Sequence, residues 1–428
     1  MNDALEERLR RLGVVRGLGG LRPEHGGDEG HEVSDVVCDT STSILPGREV
    51  CVGEGTFWLL ERRYEPDHVH GCYRVGELPG VSKSVLATLA VPDLGPYPAF
   101  LDTETTGLAG GTGTFPFLIG AGVWDGYGLQ LNLIFMRSPE EEASALAYLA
   151  QVLQRATGLV TFNGMGFDVP ILRTRFILNR MPPGIWMLPH LDLLRAARQL
   201  WRDHLPSRRL SELERRILGI QRAEEDIPSA LIPFLYRQYL ETGDLSQIRR
   251  IFYHNEIDVL SLVSLLVHVS RVLEAPDSVG LAPAEWVGLG RVYARAGDEP
   301  AAMVAWQKAV SCKPDTTDLG WAVRVWRELG KRHKRAGAWE QALSVWRTWA
   351  EAVPGATEPL VELAKFHEWH ERDLKAALEA TDQALRRVAE WPHGMRRLRA
   401  LSDLEHRRIR LRRKLRLYGD RENDGKAH

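Results

Sequence analysis

Asp102 and Glu104 stand two residues apart at the end of a short apolar run, residues 98–101. Such a run reads as a buried strand. In a strand, residues two apart point to one face, so the two carboxylates project together. Carboxylates held that close repel unless something positive lies between them, and a divalent cation, with its demand for oxygen ligands, meets that need. The other reading of a bare Asp-x-Glu is an exposed acidic strand end. Two more acidic positions bear on the choice. Asp168 follows the end of a later strand, and Asp258 lies inside a long helix. Residues at strand ends and on a packed helix can converge although far apart in sequence. A pair of divalent ions needs several carboxylates, and it serves to activate a water and stabilise the leaving oxygen of a phosphodiester. The chemistry would be hydrolysis.

The elements that must position these groups follow from pattern. A strand over 98–104 leads through the glycine-rich stretch 107–113 into apolar runs at 117–124 and 129–135, separated by the turn Asp125-Gly126-Tyr127-Gly128. That order predicts an antiparallel meander. No Lys-Ser/Thr follows the glycines and the next element is a strand, so they read as a turn and not a phosphate loop. Pro139 opens a helix with Glu140, Glu141 and Glu142 in its first turn, where acidic groups suit the helix dipole. A strand at 158–162 follows, then helical segments at 171–178, 192–201, 211–218, 228–241 and 245–273. A meander, then alternation, then helices indicates an α/β domain with a mixed sheet.

Three motifs carry a family resemblance: Asp102-Thr103-Glu104, Asn163-Gly164-Met165-Gly166-Phe167-Asp168 and His254-Asn255-Glu256-Ile257-Asp258. Together they resemble the three motifs of DEDD-type 3′–5′ exonucleases. More narrowly, residues 96–272 resemble the YprB-type ribonuclease-H-like domain, with echoes in His190-Leu191-Asp192-Leu193-Leu194, Arg208-Arg209-Leu210-Ser211-Glu212-Leu213-Glu214 and Asp226-Ile227-Pro228. The resemblance implies a five-stranded mixed sheet surrounded by helices, with Mg²⁺ or Mn²⁺, two per site, held by Asp102, Glu104, Asp168 and Asp258.

The residue that assists the water departs from that pattern. Better-studied branches place a Tyr four residues before the last Asp, or a His five before it, whereas here His254 is at minus four and Tyr253 at minus five. A four-residue helical step returns to the same face, about 40° off, whereas five residues land about 140° away. His254 therefore shares a face with Asp258, and a near-neutral pKa suits it to accept or orient a water proton. Tyr253 is the fallback, and His254 packing locally is the bland reading.

Thr105, Asn163 and Tyr253 are the candidate substrate-side residues. Asn163 either orients Asp168 or the substrate backbone, or simply ends its strand in a turn. Asp192 reads as a helix N-cap, and Phe167 as core. Arg173, Arg175, Arg208 and Arg209 could meet phosphates, although helical arginines are usually solvated.

At 428 residues the chain has room for two or three domains. Its 44% hydrophobic and 26% charged content is that of a soluble globular protein. A net charge of −2 leaves any basic nucleic-acid surface local. Four scattered cysteines imply no disulfide framework. With no signal segment and no membrane-length apolar run, a cytoplasmic location is expected. Residues 1–35 read as a flexible segment with a short helix near 3–12. Residues 36–95 read as a small β-rich entry segment preceding the nuclease-like domain at 96–275. Cys38, Cys51, His68, His70 and Cys72 are zinc-ligand types there, but their spacing matches no zinc module.

Beyond residue 280 the pattern is that of tetratricopeptide repeats. Trp286, Gly290, Ala302, Trp306, Ala309 and Pro314 are followed 40 residues on by Trp326, Gly330, Ala342, Trp346, Trp349 and Pro354. A weaker third copy has Leu360, Leu363, Ala364, His367, Ala377 and Ala384. Each unit buries its apolar face only by stacking. The arginine-rich stretch 386–417, with Leu398, Leu401, Leu404 and Leu411 at helical spacing, caps this repeat domain at 280–420. Its Arg407, Arg408, Arg412, Arg413 and Lys414 form either a solvated face or one for nucleic acid or an acidic partner.

The reading that unites these features is a metal-dependent 3′–5′ exonuclease acting on single-stranded 3′ ends, joined to a repeat domain that could recruit a protein partner, with no membrane association. Activated water would attack a terminal phosphodiester in line and release nucleoside monophosphates. The rival from another class is a nucleic-acid-binding scaffold with little or no turnover, and a rival among enzymes is an endonuclease.

Overall fold

The computed structural model describes residues 45–107, 113–182, 184, 187–223, 226–311 and 319–424, the last seven as backbone only. The helix expected near residues 3–12, Cys38, most of the glycine-rich stretch and Pro314 lie outside the described residues. The chain divides into two compact units near Leu281.

The first unit is built on one sheet. Its strands are β1 (Arg48–Val52), β2 (Gly55–Tyr64), β5 (Pro98–Thr105), β6 (Pro116–Trp124), β7 (Leu129–Phe135), β8 (Gly158–Thr161) and β9 (His190–Asp192), while β3 (Val69–His70) and β4 (Tyr73–Arg74) form a separate pair. The order is β1-β2-β7-β6-β5-β8-β9. The meander β5-β6-β7 is antiparallel, β8 pairs parallel with β5, and β9 parallel with β8. The sheet is thus mixed, as expected, but it has seven strands and not five. The two extra ones come from the stretch read as an entry segment. The β1–β2 hairpin pairs with the outer edge of β7, from Trp58↔Phe135 to Tyr64↔Leu129. An unpaired edge next to apolar neighbours is a liability, and the hairpin covers it with Phe57 and Leu59 buried.

Helices flank the sheet: α1 (Lys83–Thr88), α2 (Glu142–Leu153), α3 (Asp168–Leu178), α4 (Leu193–Leu200), α5 (Leu210–Leu213), α6 (Ile232–Thr242) and α7 (Ser246–Glu274). The stretch 258–270 of α7 is buried all round; its apolar residues pack on every side, and its buried Ser261, Ser264 and His268 meet His70 and Tyr73. Its N-terminal half packs on β5 and β6. Gly120 on β6 permits the approach, since a Cβ there would collide with Asn255 and lie 2.9 Å from Val259 Cγ2. The helix expected to begin at Asp192 begins at Leu193 instead, because 190–192 pairs with β8.

The second unit is all-helical: α8 (Pro283–Ala296), α9 (Glu299–Ser311), α10 (Gly320–Arg335), α11 (Trp339–Ala352), α12 (Glu358–Phe366), α13 (Leu374–Ala389) and α14 (Met395–Asp424). A side chain at Gly290 would strike the Trp306 indole, and one at Gly330 would strike Trp346. The same close contact recurs 40 residues on, consistent with a repeat solenoid. The basic stretch 386–417 is two helices, broken at Trp391-Pro392. Leu404 and Leu411 of α14 are buried, but Leu398 is exposed. Arg407 and Lys414 do not form an outer face. With Arg410 they converge on the fully buried carboxylate of Glu368, Lys414 Nζ at 2.7 Å and Arg410 Nη2 at 2.6 Å. Among the described residues no helix is long and apolar enough to cross a membrane.

Candidate active site and metal centre

The interior strand β5, paired on both sides, delivers Asp102 and Glu104, and a register shift between Glu104 and Thr105 ends its regular pairing with β6. Asp168 opens α3, where its carboxylate accepts from Thr103 N at 3.1 Å and from the Thr103 hydroxyl. His254 and Asp258 lie one turn apart on α7. His254 Nε2 is 3.5 Å from Asp258 Oδ2 and 3.9 Å from Glu104 Oε1. Glu104, His254 and Asp258 offer ligand atoms that all lie within 4.8 Å of one another. Asp102 completes the cluster and accepts from Asn255 Nδ2 at 2.7 Å.

The electrostatics of this cluster follow from crowding in a dry place. Burial first, then the charges of Asp258 and Asp168, push the Asp102 carboxyl well above its ordinary range. Burial and then Asp102, Asp258 and Asp168 do the same to Glu104. Asp168 is pushed up to about 6 by burial, against the hydrogen bonds from Thr103. A set of oxygen donors that resist ionisation next to one another fits a hard divalent cation, whose charge would favour the ionised forms.

Behind the carboxylates lies a polar group that no pattern in the sequence announced. Arg222 donates from Nε and Nη2 to Glu214 at 2.7 Å each, reaches Asp226 at 3.4 Å, and pairs with Asp258 Oδ1. Glu214 is buried on the π-helical turn Glu214–Leu218. Asp226 Oδ1 lies 2.7 Å from His254 Nδ1, and Ser229 Oγ lies 3.2 Å from Nε2. Burial opposes the charge on Asp226, yet its contacts with His254 and Arg222 hold the carboxyl below its usual range. The sequence signals here were two echoes of family motifs without a role attached, the one ending in Glu214 and Asp226-Ile227-Pro228; Arg222 had none.

The other expected site residues are placed as follows. Asn163 is exposed at the left-handed turn before Asp168 (φ 69°), and its N–H donates to Asp192 Oδ1 at 2.8 Å. Asp192 does cap α4, accepting from Leu194 N at 3.1 Å, but it also accepts from Met165 N and so pins the turn that leads to Asp168. Thr105 is buried and its hydroxyl donates to Gly107 O at 2.7 Å. The Tyr253 hydroxyl accepts from Ala223 N at 2.9 Å, turned towards the segment bearing Arg222 and away from the helical face of Asp258. Phe167 is half-buried, not core. Arg175, considered for phosphate, is buried against Glu142 with Nη2 at 2.7 Å from Oε2. His70, considered for zinc, bonds Ser261 Oγ at 3.0 Å, and the described cysteines Cys51 and Cys72 are free thiols.

Residues 99–270 match the RNase_H superfamily. Over 234 residues the chain is 36% identical to the uncharacterized protein YprB of Bacillus subtilis (strain 168), covering 53% of this chain and 56% of that protein. The chain therefore spans about half the length of the curated relative it matches. A mixed sheet, flanking helices and acidic residues brought to the end of its interior strand β5 agree with these matches, and residues 99–270 are similar to an RNase_H superfamily domain.

Proposed function

We propose that this domain is a divalent-metal-dependent nuclease acting as a 3′–5′ exonuclease on single-stranded nucleic acid. The observation that carries this reading is the convergence of Asp102, Glu104, Asp168 and Asp258, from an interior strand and two helices, beside the buried His254. These four carboxylates would hold two Mg²⁺ or Mn²⁺ ions, which supply positive charge for activating a water and for the leaving oxygen of a phosphodiester. Asn255 fixes Asp102 and Thr103 fixes Asp168. His254 accepts or orients the proton of the attacking water through Nε2. Asn163, exposed at the turn before Asp168, would meet the substrate backbone, with Thr105 shaping the end of β5; Tyr253, held by Ala223 N, would act from the segment bearing Arg222 and not on the reacting group. The match to a superfamily of nucleases supports the reaction class. The helical unit, read as tetratricopeptide-like repeats over 280–420, would dock a protein partner.

The test is incubation of the purified chain with 5′-labelled single-stranded RNA and DNA, with Mn²⁺ or chelator, beside Asp102→Ala/Glu104→Ala. A metal-dependent ladder shrinking from the 3′ end, absent in the double variant, is the expected result. One observation favours the scaffold reading: Arg222 already neutralises Asp258. Retained binding with no cleavage of either polymer would replace the nuclease by that scaffold. Cleavage of a circular substrate would make it an endonuclease.

A further inference from the structure

Resting on the nuclease reading for its purpose, although not for its geometry, we infer that Asp226 is the positioning residue for His254, holding the proton on Nδ1 and turning the Nε2 lone pair onto Glu104 and Asp258. An ionised carboxylate can only accept hydrogen bonds. The 2.7 Å contact between Asp226 Oδ1 and His254 Nδ1 therefore requires a proton on that nitrogen. In a neutral imidazole the other nitrogen is then the acceptor. Nε2 faces Ser229 Oγ at 3.2 Å, Asp258 Oδ2 at 3.5 Å and Glu104 Oε1 at 3.9 Å. The Ser229 hydroxyl donates to it, and the carboxylates lie where a water would be activated.

One neighbour competes for Nδ1. Arg222 Nη1 stands 3.1 Å from the same nitrogen and, as a donor, would need it bare. The carboxylate contact is the shorter by 0.4 Å. Arg222 instead bridges Asp226 and Asp258, and so sets the spacing between the group behind the ring and the group in front of it. A single segment, residues 226–229, thus contacts both ring nitrogens. His254 is only 4% exposed, so it has no solvent to turn towards once that clamp is made. Outer partners of this kind, which orient a ligand or base without touching substrate, commonly matter to activity nearly as much as the group they hold.

The experiment uses the full chain labelled with ¹⁵N-histidine, with His254 assigned through His254→Gln, and reads its tautomer from long-range proton–nitrogen correlations. The wild type is expected to show Nδ1–H. In Asp226→Asn, whose amide can donate as well as accept, the Nε2–H form should appear, and kcat with Mn²⁺ should fall by about 10- to 100-fold while KM stays within about twofold. Asp226→Glu, keeping an obligate acceptor, should restore the Nδ1–H form. An Nε2–H signal in the wild type, or an unchanged tautomer in Asp226→Asn, overturns the inference, and the wild-type spectrum decides even where a variant fails to fold. A wild type without metal-dependent cleavage overturns the nuclease reading instead, and leaves the tautomer to be judged on its own.

Discussion

Asn255 reaches across 153 residues of sequence to donate from Nδ2 to Asp102 Oδ2 at 2.7 Å, while its Oδ1 is buried against Gly120 without a hydrogen-bond partner among the described residues. The same amide thus fixes a candidate metal ligand and packs where α7 lies close against β6. The arrangement depends on the missing Cβ of Gly120. Gly120→Ala should push Asn255 and Val259 outward, destabilise the fold by about 1–3 kcal/mol as overpacking does, and weaken metal-dependent cleavage by displacing Asp102. Urea unfolding beside an activity assay checks this; an unaltered midpoint would show that α7 gives way freely.

Asp102 is held among like charges, so its removal should separate stability from activity. Asp102→Asn keeps the shape and a hydrogen-bond partner for Asn255 while removing one negative charge. In chelator at pH 8 its Tm should rise, by an amount corresponding to about 0.5–2 kcal/mol. Metal-dependent activity should fall at least about 100-fold. A variant both less stable and inactive would point to a structural role for the charge.

The pH dependence of the metal-free protein has two limbs of opposite sign. Asp168 is pushed up to about 6 in the fold, so it adds stability below the ordinary carboxylate range near 4, and that contribution is lost as pH rises through about 6. His70 is held down to about 4 by burial and by the charges of His68 and Arg222, and His268 to about 4 by burial and Arg271. Their contribution is complete above about 6.5, the ordinary histidine value, and is lost as pH falls through about 4. Because bound cation favours ionised carboxylates, Mn²⁺ should raise Tm more at pH 8 than at pH 5.5. Calorimetry across that range with and without Mn²⁺ measures it; an equal increment at both pH values would count against these carboxylates as the ligands.

In the helical unit, Glu368 ties α14 to the π-helical turn His367–Glu371 through Arg407, Arg410 and Lys414. Glu368→Ala removes the buried acceptor and leaves three cations that can reach water, so a loss of about 2 kcal/mol is expected. Amide exchange in α14 should rise while that of α2 and α7 stays constant. Uniform protection across the variant would mean that Leu404 and Leu411 suffice to dock the helix.

Much of the candidate site's placement was legible because its logic is local. The period of two puts Asp102 and Glu104 on one face of a strand, and a four-residue step puts His254 and Asp258 on one face of a helix. The meander β5-β6-β7 was written in three apolar runs and one turn, and the recurring glycine–tryptophan contact of the helical unit in a 40-residue offset. These features depend on neighbours in sequence, which composition and spacing can report.

What only the tertiary structure decided are the pairings between distant segments. β9 is three residues long and exists by pairing with β8. The β1–β2 hairpin belongs to the sheet because β7 had an open edge, so seven strands stand where five were expected. Arg175 is spent on Glu142, and Arg222, Asp226 and Ser229 reach His254 from 25 to 32 residues away, the first two on irregular backbone and Ser229 at the start of a short 3-10 turn, with no periodicity to read. A sequence shows which side chains can ionise and which face they share, but a buried charge settles on whichever partner the fold carries within about 3 Å, and that distance is a property of packing alone.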